Sequence, residues 1–386
     1  MTIRATTAPG IEDVALREGT RLLQAAGYSI GSEDAEAFGM AGIVGWTLPP
    51  EESVRAFLRA DPLRSARSLF HVTVHIAEIE WDGREPASLL DGVRRVDFLE
   101  MPAAESFRVS CTRSGTHAFQ SPEVERSVGA VLQERYGTAV DLEQYDLHVK
   151  IDVMGKRAFC GYQLTGRKGL DRRYRWVYHP RVTLRTPIAY GMLVLSGYTE
   201  RPGSLHDPFC GSGTILLEAA GVVRDGAHVR EGVPALPPLS GSDRDPRAVR
   251  GARANLDAAG LPGVGVSEMD ARTLDEQLPE RSLDFIVTNP PFGIRLGRGS
   301  NFRTLYGGFL RSAARVMRPG GTLALLVGKR RGVFNKVLQA SPEFAMRHVR
   351  IVEMGGVYAA LFVLRRTALE GPVVEGSAFD GGTAPD

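Results

Sequence analysis

The sequence predicts a multidomain protein with an α+β N-terminal half and an α/β C-terminal half. A chain of 386 residues exceeds what one hydrophobic core usually organises, so two or three domains are expected. The pattern of apolar residues also changes near residue 185, where strands and helices in mixed order give way to a regular alternation of the two. Strands that alternate with helices are typical of a parallel, doubly wound sheet.

The N-terminal half contains stretches with the periods of both strands and helices. Residues 11–27 have apolar side chains at helical spacing, and a glycine ends that pattern. A later helix, 121–137, is predicted from Ser121 as N-cap, Pro122 in the first helical position and Gly137 after the end. The predicted strands cover residues 2–7, 40–48, 69–81, 106–115, 146–155 and 158–166, the last two forming a hairpin, and another helix covers 51–60 behind Pro49 and Pro50.

In the C-terminal half, short apolar runs alternate with helical stretches. The predicted order is strand 204–209, helix 214–223, strand 239–243, helix 246–260, strand 264–270, strand 283–289, helix 302–317 and strand 321–328. Two last runs, 347–356 and 358–366, predict an antiparallel pair at one edge of the sheet. Ligands of such sheets bind at the carboxyl ends of the strands, so the residues directly after these runs are the candidate site.

The charge is concentrated in one segment. The whole chain has a net charge of only +2, but residues 151–190 contain nine Lys and Arg against two acids, with Tyr174, Trp176 and Tyr178 interleaved. Basic side chains neutralise phosphates, and aromatic rings stack on unpaired bases, so the segment predicts contact with nucleic acid. A solvated linker is the alternative interpretation.

Composition disfavours several other classes of protein. No run of eighteen apolar residues is present, so no membrane span is expected, and the N-terminus lacks the layout of a signal peptide. The three cysteines, Cys111, Cys160 and Cys210, are scattered and fit no zinc spacing, so no metal site is expected. Together these features predict a reduced, cytoplasmic protein.

A glycine-rich turn follows the first strand of the C-terminal half. In residues 207–214, DPFCGSGT, Gly211 and Gly213 allow the backbone to bend sharply and approach a ligand closely. The turn lacks the Gly-Lys-Ser/Thr of a phosphate-binding loop, which disfavours nucleotide hydrolysis. Phe209 stands where a dinucleotide-binding turn has its first glycine, which disfavours a nicotinamide cofactor. A purely structural turn is the alternative.

Two acids follow the next two strands. Asp243 is positioned to accept hydrogen bonds from the hydroxyls of a ribose, and the alternative role of helix cap suits Asp245 better because Pro246 follows it. Asp270 is a candidate acceptor for the amino group of adenine, with the Ala271 N–H donating to the ring. A simple turn residue is the alternative for Asp270.

The fourth strand ends in Asn-Pro-Pro-Phe, residues 289–292. Two consecutive prolines stop strand pairing and stiffen the chain, so the turn is held rigid. The side-chain oxygen of Asn289 and the carbonyl of Pro290 are two acceptors that could hold the hydrogens of an exocyclic amine and stabilise charge that develops on its nitrogen. Phe292 could stack on a base drawn out of its helix. This chemistry requires neither a metal nor a general base.

The glycine turn, the two acids and the Asn-Pro-Pro-Phe turn, in this order, resemble the S-adenosylmethionine-dependent methyltransferases that act on exocyclic amino groups of bases. Residues 107–132, with the hairpin continued to 175, resemble a THUMP domain, and 8–19 resembles the opening of the ferredoxin-like domain that precedes it. Residues 289–310 and 347–366 resemble the catalytic half of THUMP-containing guanine N2-methyltransferases, within them the group that methylates guanosine 6 in the tRNA acceptor stem.

The resemblance implies a fold of three parts and a set of site residues. The implied domains are ferredoxin-like (1–68), THUMP (69–166), a basic linker (167–185), a Rossmann-like methyltransferase domain (186–366) and a disordered tail (367–386). The implied cofactor, S-adenosylmethionine, is assigned to Asp207, Pro208, Phe209, Gly211, Gly213, Thr214, Asp243, Asp270, Ala271 and Asn289, and the target base to Asn289, Pro290, Pro291 and Phe292. The implied partner is tRNA, gripped by a monomer at its acceptor stem and 3′ end. The THUMP candidates for this contact are Arg108, Arg113 and His117, and the path between the domains is lined by Lys168, Arg172, Arg173 and Arg175. Beyond the Asn-Pro-Pro-Phe turn, Arg295 and Arg298 are candidates for contact with phosphate or the guanine O6, with surface charge as the alternative.

Three alternatives remain open at this point. A ribosomal RNA guanine N2-methyltransferase shares the THUMP domain and the Asn-Pro-Pro-aromatic turn, although such chains often have a second methyltransferase unit. A DNA amino-methyltransferase shares only the turn. A non-catalytic RNA-binding protein would need a degenerate cofactor pocket. Among the tRNA enzymes, position 6 is preferred over position 10, because position-10 enzymes usually have an aspartate in place of Asn289.

Overall fold

The N-terminal half of the chain forms one eight-stranded sheet. The structure is a computed structural model that describes residues 1–180, 183–225, 236–292 and 301–368. The strands are β1 (Thr2–Thr6), β2 (Ser32–Asp34), β3 (Ile43–Thr47), β4 (His71–Glu80), β5 (Ser106–Ser114), β6 (Ala139–Val140), β7 (Leu147–Met154) and β8 (Arg157–Gln163), in the order β2-β3-β1-β4-β8-β7-β5-β6. Strand β4 pairs with β1 on one side and with β8 on the other, so the predicted ferredoxin-like and THUMP domains share a sheet.

Helices cover one face of this sheet. They are α1 (Glu12–Ala25), α2 (Val54–Ala60), α3 (Pro86–Arg94) and α4 (Ser121–Tyr136). The period-2 alternation of the strands decides which side chains face the helices: Ile3, Val72 and Val74 are buried with the large ring of Trp46. The predicted hairpin is confirmed by the antiparallel pairing of β7 with β8.

Two predicted helix starts were wrong. Gln120, not Ser121, occupies the N-cap of α4, and the Ser121 hydroxyl instead accepts a hydrogen bond from Nε of Arg113 at 3.2 Å. Helix α2 starts three residues later than predicted because Ser53 is its N-cap, accepting from the Ala56 N–H at 3.3 Å. The two prolines before it therefore lie outside the helix.

The C-terminal half is a doubly wound sheet of seven strands, as predicted. The strands are β9 (Leu205–Asp207), β10 (Leu239–Asp243), β11 (Gly265–Glu268), β12 (Leu283–Thr288), β13 (Met317–Val327), β14 (Phe344–Glu353) and β15 (Tyr358–Arg366). Their order is β11-β10-β9-β12-β13-β15-β14, and β15 runs antiparallel to both of its neighbours. The helices are α5 (Thr186–Ser196), α6 (Thr214–Arg224), α7 (Pro246–Ala258), α8 (Phe302–Val316) and α9 (Arg331–Gln339).

The prediction missed three helices, α3, α5 and α9. Helix α5 is apolar on almost all sides and nearly every residue in it is buried, so it has no amphipathic period to detect. Helices α3 and α9 have nine residues each, which is shorter than the window in which a helical period is clear.

The two halves share part of their hydrophobic core. Ile11 and Phe70 of the N-terminal half belong to the same buried cluster as α5 and the centre of the second sheet. The loop before α1 also lies on edge strand β14: the Glu353 N–H donates to the carbonyl of Pro9 at 2.9 Å, and Arg350 donates to the Asp13 carboxylate at 2.6 Å. The N-terminal half is therefore packed directly on the second sheet.

Gly10 is the position where this packing is tightest. It has φ +96°, and a Cβ there would lie 2.0 Å from the carbonyl oxygen of Ile351. Gly27 has a similar φ, +87°, with no atom within 4 Å of a Cβ.

We expect Gly27→Ala to lower the free energy of unfolding by about 1–2 kcal/mol through backbone strain alone. Gly10→Ala should cost at least about 1 kcal/mol more, because the Ile351 carbonyl must also move. Urea denaturation of the two variants measures the difference, and equal losses would contradict the described contact.

Candidate active site and RNA-contacting surface

The candidate site lies where the chain order of the second sheet reverses. Strand β9 pairs with β10 on one side and with β12 on the other, so the residues that follow these three strands meet at the topological switch point. Asp207 ends β9, Asp243 ends β10 and Asn289 directly follows β12. The sheet thus brings together residues that are 82 positions apart in the sequence.

Asp207 is a buried carboxylate, only 1% exposed. Its Oδ1 accepts hydrogen bonds from the Thr288 hydroxyl at 2.6 Å and from the Phe209 N–H at 3.2 Å. Burial raises the pKa of Asp207 to about 7, although both hydrogen bonds act in the opposite direction. Because Thr288 immediately precedes Asn289, this carboxylate ties the glycine turn to the Asn-Pro-Pro-Phe turn.

The glycine turn has the geometry that its sequence predicts. Gly211 and Gly213 have φ of +54° and +83°, which is the left-handed region that favours glycine. Gly213 is the N-cap of α6, and the Gly211 N–H donates to Oδ2 of Asp243 at 3.1 Å. The Phe209 ring packs edge-on against Phe309 with the centroids 5.6 Å apart. Pro208 and Thr214 are buried behind the turn.

Asp245 has the capping role that the sequence suggested, and the ribose-binding role of Asp243 stays a prediction. Asp245 caps α7 by accepting from the Arg247 N–H at 2.8 Å. Asp243 remains half-buried at the strand end, and burial raises its pKa. Its Oδ1 accepts from the Asp245 N–H at 3.0 Å and its Oδ2 from the Gly211 N–H at 3.1 Å, so the carboxylate is fixed beside the turn. This is the strand end at which a doubly wound fold binds a ribose.

Asp270 has a partner that the sequence analysis missed. The Arg272 N–H donates to Oδ1 of Asp270 at 2.9 Å, and the Arg272 guanidinium contacts both carboxylate oxygens at 2.6–3.1 Å. These bonds with Arg272 lower the pKa of Asp270. The geometry suits the turn-residue interpretation, and contact with adenine by Asp270 and the buried Ala271 stays a prediction. An arginine two residues after the acid was the available signal.

The Asn-Pro-Pro-Phe turn presents an acceptor without a donor. Oδ1 of Asn289 is buried and has no hydrogen-bond partner in the described part of the chain. Pro290 is buried, whereas Pro291 and Phe292 are half-buried. The Phe292 ring lies against Gly328, directly after β13, where a Cβ would be 2.6 Å from Cγ of the ring. Gly328, which the sequence analysis did not single out, is therefore required for this position of Phe292.

A basic cavity of about 670 Å³ lies beside the linker. Its lining includes five cationic side chains, Arg167, Lys168, Arg172, Arg175 and Arg185, together with His71, Asp171, Tyr174 and Trp176. Arg185 pairs with the single acid, Asp171, at 2.9 Å and lies over the ring of Phe70. Among the described residues the other four cations have no carboxylate partner, so the cavity has a positive potential. Lys168, Arg172 and Arg175 were predicted individually as RNA contacts, and Arg167 and Arg185 only as part of the basic segment 151–190. His71 lies outside that segment and was missed.

The remaining predicted RNA contacts have other surroundings. The Arg173 side chain is 18% exposed and turned inward, donating to the carbonyls of Ala66 and Arg67 at 3.1 and 3.0 Å. This orientation contradicts its predicted place among the RNA contacts. Arg108 lies over the ring of Tyr145, and Arg113 donates to Gln120 at 3.0 Å. His117 contacts the Gly155 carbonyl at 3.1 Å. The predicted contacts Arg295 and Arg298 lie outside the described residues.

Across residues 1–180, 183–225, 236–292 and 301–368, no helix combines the length and the apolar character needed to cross a membrane. The same ranges contain no group of three or more His, Cys, Asp or Glu side chains placed to hold a metal ion.

The sheet order, the glycine turn and the Asn-Pro-Pro-Phe turn define a Rossmann-like methyltransferase of the S-adenosylmethionine-dependent class. Residues 172–360 match the family described as RMKL-like, methyltransferase domain, and residues 87–160 match the THUMP domain family. The chain is 38% identical to the tRNA (guanine(6)-N2)-methyltransferase of Thermus thermophilus over 372 residues, which cover 95% of this chain and 100% of that protein. It therefore belongs to the family of THUMP-containing tRNA guanine N2-methyltransferases, which confirms the family predicted from the sequence.

Solved structures agree with the described fold. The crystal structure of TrmN from Thermus thermophilus matches with a TM-score of 0.74 at 34% identity, over 95% of this chain and 99% of that one. The structure of SMU.472 complexed with SAH matches with a TM-score of 0.71 at 18% identity, over 96% and 99%. The predicted fold class is confirmed.

The burial of Asp207 predicts an unusual titration. We expect the carboxyl carbon of Asp207, followed by ¹³C NMR in the ligand-free protein, to titrate near pH 7. Since the native pKa lies above that of the unfolded chain, Asp207 contributes a loss of stability as pH rises from about 4 to 7. Thr288→Val removes the hydroxyl that lowers this pKa and should raise it further, whereas Thr288→Ser should not. Titration of Asp207 in the ordinary aspartate range would contradict its burial.

Proposed function

We propose that the protein transfers a methyl group from S-adenosylmethionine to N2 of guanosine 6 in the acceptor stem of tRNA. The observation that carries this proposal is the buried Oδ1 of Asn289, which has no hydrogen-bond partner among the described residues. A buried acceptor without a donor is costly, and at the switch point a bound ligand that supplies the donor removes that cost. The exocyclic amine of guanine is such a donor. The names of the full-length relative and of the family support guanine and position 6.

The residues at the switch point fit S-adenosylmethionine. Asp207 is a buried carboxylate without a cationic partner among the described residues, which suits the ammonium of a methionine group. The positive-φ glycines Gly211 and Gly213 leave space beside the turn, and the half-buried carboxylate of Asp243 suits the ribose hydroxyls. When bound, this cofactor supplies an electrophilic methyl group and leaves as S-adenosylhomocysteine.

The protein's own residues make the amine reactive and hold it in position. The amine of guanine is conjugated with the ring and is a weak nucleophile. Oδ1 of Asn289 and the carbonyl of Pro290 accept its two hydrogens and stabilise the positive charge that develops on N2. The prolines keep both acceptors fixed, so much of the rate comes from positioning. Phe292, held by Gly328, stacks on the extruded base, and N2 then releases its proton to solvent.

The RNA is held by the N-terminal half and the linker. Four cations of the basic cavity have no acidic partner in the part of the chain that the structure describes, and these neutralise phosphates: Arg167, Lys168, Arg172 and Arg175. Trp176 offers a ring for an unpaired base. Arg108, Arg113, His117, Arg295 and Arg298 stay in the proposed contact set, whereas Arg173 is left out. The domain boundaries given above, a monomeric state, a cytoplasmic location and a grip on the acceptor stem and 3′ end complete the proposal.

Nucleoside mass spectrometry tests the reaction, the base and the position together. Unmodified tRNA transcripts are incubated with the protein and S-adenosylmethionine, digested and mapped by fragment. We expect N2-methylguanosine in the acceptor-stem fragment that contains position 6. N6-methyladenosine, or methylation of ribosomal fragments only, would refute the substrate. No methylation of any RNA or DNA would refute the activity.

Asn289 should be essential for methyl transfer but not for binding. Asn289→Ala removes one acceptor and should lower the rate at least about 100-fold, the usual effect of losing one preorganised hydrogen bond to developing charge. Cofactor binding by calorimetry and tRNA binding should change little. Asn289→Asp keeps an acceptor oxygen and should retain more activity than the alanine variant. Full activity of Asn289→Ala would exclude the proposed role.

The cavity cations should control the salt dependence of tRNA binding. Arg172→Ala with Arg175→Ala should lower the slope of log Kd against log salt concentration by about 2, one for each phosphate that is no longer neutralised. The matched control is Arg17→Ala with Arg315→Ala, which removes the same charge from side chains that are 68% and 66% exposed and already paired with acids. Titrations at several salt concentrations measure both slopes. An equal slope for the two double variants would show that Arg172 and Arg175 do not neutralise RNA phosphates.

A further inference from the structure

A buried arginine joins three parts of the chain. Arg67 lies four residues before the start of β4, and its side chain is only 9% exposed. Its guanidinium donates from Nη1 to Oε2 of Glu218 at 2.7 Å and to the Tyr174 hydroxyl at 3.0 Å, and from Nε to Oδ2 of Asp225 at 3.1 Å. Glu218 lies in α6, and Asp225 directly follows the last residue of that helix. Tyr174 belongs to the linker. One side chain of the N-terminal half is thus bonded to both other parts.

The backbone around Arg67 is held as firmly as its side chain. The carboxylate of Glu18, itself 5% exposed, accepts from the N–H of Arg67 at 3.0 Å and from the N–H of Ser68 at 2.8 Å. On the other side, Arg173 donates to the Arg67 carbonyl at 3.0 Å and lies 3.5 Å from Glu218. The position of the guanidinium is therefore determined from both ends.

The Arg67 side chain also contacts α6, the helix that starts at the glycine turn. A Cβ at Gly221 would lie 2.4 Å from Nη2 of Arg67, so the guanidinium rests against the backbone of α6. Helix α6 has Gly213 of the glycine turn as its N-cap. The N-terminal half is thus fixed to an element that also builds the predicted cofactor site.

Adhesion between the halves does not require this ion pair. The Arg67–Glu218 pair is desolvated, and a buried ion pair contributes little net stability compared with apolar residues of the same size. Apolar contacts, such as Ile11 against Gly191 of α5, already hold the halves together. Arg67 fixes the relative orientation of the two halves. Its donors bond to acceptors on different elements, so they determine the rotation between the halves as well as their separation.

We propose that Arg67 and Glu218 are positioning residues that select which nucleotide is methylated, an inference that rests on the proposed function. Successive guanosines of an RNA stem present the same amino group to Asn289, so the reacting residues cannot distinguish one from the next. Phosphate contacts set the register of a nucleic acid on a protein. Since those contacts belong to the N-terminal half and the linker, the fixed geometry between them and Asn289 selects the nucleotide.

The experiment measures where each variant places the methyl group. Arg67→Met is compared with wild type on tRNA transcripts that have guanosines next to position 6, with products mapped by fragment mass spectrometry. We expect kcat/KM at position 6 to fall about 100-fold, the effect of misplacing reacting groups by about 1 Å. The fraction of product at neighbouring guanosines should rise, while cofactor binding stays within about threefold, since no cofactor contact is changed.

Two further variants separate positioning from stability. Arg67→Met with Glu218→Met removes the unpaired buried charge, so it should fold where the single variant fails, and it should show the same loss of selectivity. Arg135→Met is the control, because Arg135 bonds to Asp97 and to the carbonyls of Arg94 and Val96, all within the N-terminal half. It should keep wild-type selectivity.

The outcomes are distinguishable. Spread of product to neighbouring guanosines in the Arg67 variants but not in Arg135→Met supports the inference. If the double variant methylates only position 6, whatever the rate of the reaction, the inference is overturned and the proposed function is left intact. Absence of N2-methylguanosine with the wild-type protein overturns both.

Discussion

The hydrogen bond between the Thr288 hydroxyl and the buried Asp207 carboxylate is the contact on which the candidate site depends. Strands β9 and β12 pair through only two residue pairs, so their ends are not aligned by the sheet alone. The carboxylate supplies the alignment, because it also accepts from the N–H of Phe209 in the glycine turn. The turn assigned to the cofactor and the turn assigned to the base are thus fixed relative to one another before either ligand binds, which is the preorganisation that methyl transfer needs.

The cost of this arrangement is visible in the same residue. A carboxylate that is 1% exposed and faces no cation among the described residues is destabilised when ionised, which is why its pKa is raised to about 7. A binding site retains such a group when a ligand compensates it. The same reasoning applies to Oδ1 of Asn289, which has no partner within the described ranges. These two polar groups of the switch point are an anion and an acceptor, complementary to an ammonium and an amine.

Local sequence predicted features whose partners are close in the chain. The positive φ of Gly211 and Gly213, the capping role of Asp245 and the antiparallel edge pair all follow from a few adjacent residues. The prediction did not extend to contacts made by the tertiary fold. Ser121 was wrong as N-cap because Arg113 of the neighbouring strand takes its hydroxyl. The Arg67–Glu218 pair joins residues 151 positions apart, and neither residue has a local pattern that marks it.

The basic linker shows why charge in a sequence overestimates charge available to a ligand. Arg172, Arg173 and Arg175 look equivalent in the sequence, yet the middle one is turned inward beside the buried Glu218 while the other two line the basic cavity. Arg185 is similarly offset by Asp171. A cation engaged by a buried carboxylate releases no counterion when RNA binds, so it adds stability or orientation but no salt-dependent affinity. The inward side chain of Arg173 therefore contacts both the N-terminal half and α6, whereas the outward side chains line the cavity that we propose binds RNA phosphates.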